Sequence, residues 1–293
     1  MATLRETRDR ITSVKNTSKI TQAMSMVATA KLRRAQDAIT AARPFANQVQ
    51  KILSNLSSAD TEFVHPFFEQ RKTVANVALI AISSDRGLCG AFNTNMLRVL
   101  STRIADLKAQ HPNVTVHVIP VGKRSVAAAR KGKEPIVQEF NDVFSKLDYS
   151  TADEIAAIST DGFQSGQFDH VEIIGNQFVN VMRQEVRTTQ LLPIIPTQQD
   201  AGSGSNIDYI YEPSQSDILN TLLPMYVKLQ VWTGLLDSNA AENAARRMAM
   251  ENATTNAREL ITALQLIYNR ERQAAITTEM LEIVGGAEAL ASA

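Results

Sequence analysis

The sequence predicts an α/β domain on a mostly parallel sheet, joined to a long antiparallel coiled coil formed by the two ends of the chain. Three observations lead to that class. Seam residues recur at alternating three- and four-residue steps from Val14 to Leu56, and again from Leu222 to Leu264. Between these stretches, apolar β-branched runs alternate with helical ones.

The first element opens the chain. KNTSKITQAMSMVATAKLRRAQ at 15 to 36 contains neither Gly nor Pro, so nothing in it breaks a helix. Its seam reads Val14, Thr17, Thr21, Met24, Ala28, Lys31, Ala35, Ala38, Ala42, Phe45, Val49, Ile52, Leu56. Small residues at its centre allow a partner helix to approach closely. The pattern continues on both sides of Pro44, which predicts a bend rather than an end. The expected element covers 1–58.

The last element mirrors it over 212–291. Ser214 or Ser216 supplies a cap, and the stripe runs Leu222, Met225, Leu229, Trp232, Leu236, Asn239, Asn243, Arg246, Met250, Ala253, Ala257, Leu260, Leu264, Ile267. Beyond Glu271 it resumes, shifted, as Ile276, Met280, Ile283, Ala287, Leu290. Helices of this extent span about 110 Å and about 80 Å, too long to lie on the surface of one globule. They are therefore expected to project and to pair with each other.

The central domain is expected over 72–207. TVANVALIAISS reads as a buried strand; VTVHVIPV follows a helical stretch around 92 to 110, and HVEIIGNQFV another around 151 to 166. Strand alternating with helix predicts parallel pairing with helices on the faces of the sheet. TQQDAGSGSN at 197 to 206 has linker composition.

Composition narrows the function classes. The 293 residues are 44% hydrophobic, ample for a packed core. Thirty basic and 30 acidic residues cancel, so no global field points to nucleic acid or an anionic membrane. Residues 1 to 36 are locally basic, with eight Lys or Arg against Glu6 and Asp9. Cys89 is the one cysteine, so no internal disulfide forms. Aromatics are only 5%, thin for stacking on single strands. No apolar run reaches the length of a membrane span, and the basic start passes into helix without a cleavage-like end.

Catalytic signals are weak. His65, His111, His117 and His170 have no metal-ligand spacing. GFQSG at 162 to 166 places its serine fourth rather than third, which suits a helix end followed by a turn. In GKRS at 122 to 125, Arg124 separates the Lys from the Ser and no glycine stands five before Gly122. The run GKRSVAAARKGK reads as a solvated helix face. SSDRGLCGAFN at 83 to 93 follows the first strand, where open sheets place ligand loops, yet its glycines also suit a tight strand-to-helix turn with Cys89 beneath.

Taken together, ITSVKNTSKITQAMSMVATAKLRRAQ at 11 to 36, SSDRGLCGAFN, and LQLIYNRERQAAITTEMLEIVGGAEAL at 264 to 290 closely resemble the gamma subunit of F-type ATP synthases, in its bacterial form. The resemblance implies an antiparallel coiled coil plus a Rossmann-like α/β domain. It further implies a non-catalytic shaft inside a hexamer of three alpha and three beta subunits, its foot resting with the epsilon subunit on a ring of c subunits. Proton flow through that ring is coupled to ATP synthesis or hydrolysis at beta. No cofactor or metal is implied on this chain; Mg-ATP and Mg-ADP belong to alpha and beta. The expected location is the cytoplasmic face of the bacterial inner membrane, peripherally. Residue by residue, the resemblance carries partner contacts onto Met24, Arg246, Arg272, Gln273 and Thr277, with Arg247 standing where relatives often have Met. A shaft turning in a sleeve is served by small, flexible outer side chains, which make contact without a deep trap.

Two other readings compete: a static coiled-coil adaptor with an α/β head, and a small-molecule enzyme using a cleft around Asp85 to Gly90. Loss of turnover on charge reversal at Arg272 separates the first from a rotor. Ligand binding by the α/β domain would favour the second.

Overall fold

A computed structural model describes residues 4–59, 65–71, 73–195 and 215–291. The linker expected at 197–206 and the cap at Ser214 lie outside them. In chain order the elements are helix α1 (Leu4–Ala59), a short 3-10 turn (Pro66–Phe68), strand β1 (Asn76–Ile82), α2 (Phe92–Gln110), β2 (Thr115–Val121), α3 (Lys123–Ala129), α4 (Tyr149–Gln164), β3 (His170–Phe178), β4 (Gln184–Leu192) and α5 (Gln215–Ala291). The two long terminal helices and the sheet between them match the expected fold class. They form two compact units, Met1–Ala28 with Arg247–Ala293, and Thr29–Arg246, so α1 and α5 each contribute to both.

The sheet, ordered β2-β1-β3-β4, belongs to the second unit. β1 pairs in parallel with β2 and β3, and β3 pairs antiparallel with β4. Because side chains alternate across a strand, β1 feeds two cores. Val77, Leu79 and Ala81 join Met96, Leu100 and Leu107 of α2 on one face. Ala78, Ile80 and Ile82 join Ile155 and Phe163 of α4, and Leu223, Val227 and Leu235 of α5, on the other. A strand buried on both sides reads as a continuous apolar run, which is why its sequence announces it. β4 was not expected. Its QEVRTTQLL is a mostly exposed edge strand without the apolar alternation that marks a half-buried one.

Three loop readings are settled by geometry. GFQSG closes α4, with Ser165 as its C-cap and Gly166 at φ 80°. Gly122 precedes α3 at φ 91°, where a Cβ would stand 2.2 Å from the Ser83 carbonyl oxygen. That glycine serves a close approach of two strand ends. SSDRGLCGAFN is a tight turn: Leu88 and Gly90 have φ of 63° and 58°, and Cys89 is buried beneath.

The helix seams differ from expectation in phase. In the second unit, Leu32, Ala35 and Ile39 of α1 pack against Leu236, Ala240 and Ala244 of α5. In the first, Thr7, Ile11, Ser18, Thr21 and Ala28 are buried on α1, and Met250, Thr254, Ala257 and Leu264 on α5. Every second expected position is therefore right, such as Thr21, Ala28, Ala35 and Val49. The intervening ones are displaced by a residue: Thr17, Lys31, Ala38 and Phe45 are exposed, while Ser18, Leu32 and Ile39 are buried and Ala46 is half-buried. On α5, Leu260 and Ile267 are likewise exposed, with Ile261 and Tyr268 half-buried beside them. A 3,4 repeat has two phases that share alternate positions. Burying an unpaired Lys31 is costly, so the phase that turns Leu32 inward is preferred.

Candidate partner-contact surfaces

In the unit formed by Met1–Ala28 and Arg247–Ala293, the helices run antiparallel. Thr21 and Thr254 share a hydrogen bond of 2.7 Å between hydroxyls, and the Thr7 hydroxyl donates to Glu271 Oε2 at 3.0 Å. The buried side of α1 here carries Thr7, Ser18 and Thr21, whereas Ile20, Met26 and Val27 are 61%, 63% and 57% exposed. Three small polar groups share the inside with Ile11 and Ala28, and three apolar side chains stand outside, so the ordinary amphipathic contrast is weak here. The stretch 15 to 36 accordingly carries no broad apolar stripe. Its inner residues up to Ala28 are the small Ser18, Thr21 and Ala28, while Ile20, Met26 and Val27 face away; only at Leu32 does a bulky apolar side chain turn inward. Met24 and Ser25 are half-buried at the margin of the seam.

The pairing stops before α5 does. Residues 7 and 21 face 271 and 254, so α1, described from Leu4, does not reach the level of 276 onward. From Arg272 on, every side chain described is exposed, including Met280 (58%), Leu281 (67%), Ile283 (67%), Val284 (62%) and Leu290 (81%). A helical end this apolar marks an interaction surface. Arg272, Gln273 and Thr277 lie together on it, exposed. The Thr277 hydroxyl donates to the Gln273 carbonyl at 2.9 Å, an i to i−4 bond within the helix. The stripe expected at 276 to 290 thus exists, and no partner helix covers it among the described residues.

Arg246 belongs to the other unit and is placed differently. Its side chain is 14% exposed; Nη2 donates to Glu242 Oε1 at 2.6 Å and to the Gly87 carbonyl at 3.3 Å. It is a strut between α5 and the loop after β1. Burial pushes the Glu242 carboxyl up, against the opposing pull of Arg246. Asp85 in the same loop accepts the backbone N–H groups of Lys123, Asp142 and Phe144 at 3.1, 3.0 and 2.8 Å. A groove of about 450 Å³ does lie here, lined in part by Lys31, Arg34, Asp85 and Glu242. Its carboxylates, however, are engaged in holding the loop, and burial pushes the Cys89 thiol up. The cleft therefore offers positive side chains at its rim rather than a poised acid, base or nucleophile.

Sequence reasoning missed Leu88, 65% exposed at the tip of that loop, and the exposure of Leu281 and Val284. The second was available: comparing the reach of the two helices shows which one outruns the other. Among the described residues, no group of three or more His, Cys, Asp or Glu is arranged to hold a metal. No described helix is long and apolar enough to cross a membrane.

Comparison with known proteins adds the following. The sequence profile of the family described as ATP synthase matches residues 3–290. An ATP synthase gamma chain of Chloroherpeton thalassium is 45% identical over 303 residues, covering 99% of each chain. One of Flavobacterium psychrophilum is 45% identical over 290 residues, also covering 99% of each. Among solved structures, a chain of the Euglena gracilis mitochondrial ATP synthase, in an OSCP/F1/c-ring assembly, aligns with TM-score 0.65 at 20% identity, over 98% of this chain and 94% of that one. A chain of the rotor of the same enzyme aligns with TM-score 0.62 at 18% identity, over 93% and 98%. At these identities the structural likeness speaks for the fold.

Proposed function

We infer the function from one premise: the chain belongs to the ATP synthase family, among its gamma chains. It is the non-catalytic central shaft of an F-type ATP synthase. It turns within a hexamer of three alpha and three beta subunits and couples proton flow through the c-ring to ATP synthesis or hydrolysis at beta. Its partners are alpha, beta, the epsilon subunit and the c-ring. On the molecule itself, the observation that carries this reading is the outward apolar face of the paired helices, ending in the unpaired stretch of α5.

The mechanism follows from symmetry. A single shaft with unlike sides cannot meet three identical beta subunits in the same way, so it makes their sites unequal. Each site is biased toward a different conformation and nucleotide affinity, and turning the shaft passes those states round the ring. Sliding contact is served by Ala23, Met26 and Val27, small or flexible and all exposed. Arg272, Gln273 and Thr277 are read as the grip on the hexamer, with Met24 lower on the same unit. Arg246 is read as acting on the contact surface from within, by holding the loop after β1.

The functional division keeps the expected boundaries, a coiled-coil helix at 1–58, a Rossmann-like domain at 72–207 and a second helix at 212–291. In this reading Mg-ATP and Mg-ADP are bound by alpha and beta, and the chain sits peripherally on the cytoplasmic face of the inner membrane. Co-purification tests it. A tagged chain of 32.2 kDa is expected to bring down two larger subunits, three of each per chain. Elution as an isolated monomer from membranes that retain ATPase activity would count against it.

A further inference from the structure

We propose that Thr7 and Glu271 form a positioning pair that sets the direction in which Arg272 and Gln273 face the hexamer. The inference rests on the reading of those two residues as partner contacts. Thr7 is 4% exposed, and its hydroxyl donates to Glu271 Oε2 at 3.0 Å. Glu271 is half-buried, and beyond it every described side chain of α5 is exposed. The bond thus ties the two helices at the margin of the exposed stretch.

Helix geometry turns that tie into an orientation. Each residue advances about 100° round the axis. With Glu271 pinned toward α1, Arg272 lies about 100° round and Gln273 about 200°, while Thr277 falls at about 240°. Gln273 and Thr277 thus share the face opposite α1, with Arg272 on the flank. Below the tie, α5 is held by the half-buried Tyr268 and buried Leu264. Without the tie, the exposed stretch of α5 swings more freely about its last packed residues, so Arg272 meets its partner in the productive direction for only part of the time. A hydrogen bond to a carboxylate is strong enough to matter at this scale.

The test uses the complete membrane complex. Thr7→Val keeps shape but removes the donor, and is expected to lower ATP turnover about five-fold, with assembly unchanged. Thr7→Ser restores the donor and the rate. Glu271→Gln retains an accepting oxygen and stays near the parent, which separates the hydrogen bond from the charge. The decisive arm combines variants: Thr7→Val added to Arg272→Ala with Gln273→Ala should turn over no more slowly than Arg272→Ala with Gln273→Ala alone, because the pair acts through those two residues. Parent-like turnover of Thr7→Val beside a slow Arg272→Ala would overturn the positioning role while leaving the contact reading intact. Additive losses would overturn it too, assigning Thr7 to structure only. Parent-like turnover of Arg272→Ala would remove the contact reading itself.

Discussion

Arg272→Glu in the reconstituted hexamer is expected to lower ATP turnover at least tenfold, or about 1.4 kcal/mol of barrier. The side chain is exposed on the unpaired stretch of α5, so the chain's own folding loses little when it changes. Its effect falls on the partner. In the proposed reading a guanidinium that grips an acidic surface becomes a carboxylate that repels it, and like charges forced together at an interface cost several kcal/mol. Arg272→Lys keeps the charge but loses the planar fork, and should stay within a few-fold of the parent. A static tether would tolerate all three residues equally.

The largest effect on stability is expected at Glu172. Burial would raise its carboxyl, but the Arg103 fork and His170 more than offset that and hold it down at about 2. Arg103 donates through Nε at 2.8 Å and Nη2 at 2.5 Å, His170 Nε2 lies 2.8 Å from Oε1, and Glu172 itself is 3% exposed. A depressed folded-state value stabilises the fold above the ordinary 4.5 and loses that contribution as pH falls toward 2. The shift corresponds to about 3 kcal/mol. Glu172→Gln, which leaves Arg103 against a neutral amide, should therefore lower the unfolding free energy by about 3 kcal/mol at pH 7. The gap between variant and parent should close between pH 4.5 and 2. Chemical denaturation at several pH values checks it; a gap that stays constant with pH would contradict the assignment.

The fold was legible where burial leaves a two-sided signature. β1, buried on both faces, reads as an apolar run, and α2 and α4 follow from their position between strands. β4 left no such mark, being an edge strand with polar residues on most positions. The seam of the long helices was half legible. Ala, Ser and Thr serve equally inside and outside, so phase was decided by the few bulky residues, Leu32 and Ile39, and by the charge of Lys31. Site residues divide in the same way. Arg272, Gln273 and Thr277 lie on one exposed stretch, as a contact surface requires. Arg246 reads from the sequence as a partner contact; its place as an internal strut was not legible, because its partner carbonyl, at Gly87, is 159 residues away in sequence.

The central claim is that one lopsided chain makes three equivalent sites unequal. Nucleotide titration of the hexamer with and without this chain measures that directly. With the chain present, three catalytic sites should fill at three distinct affinities; without it, they should fill alike. Three separate affinities in the hexamer lacking the chain would contradict the account.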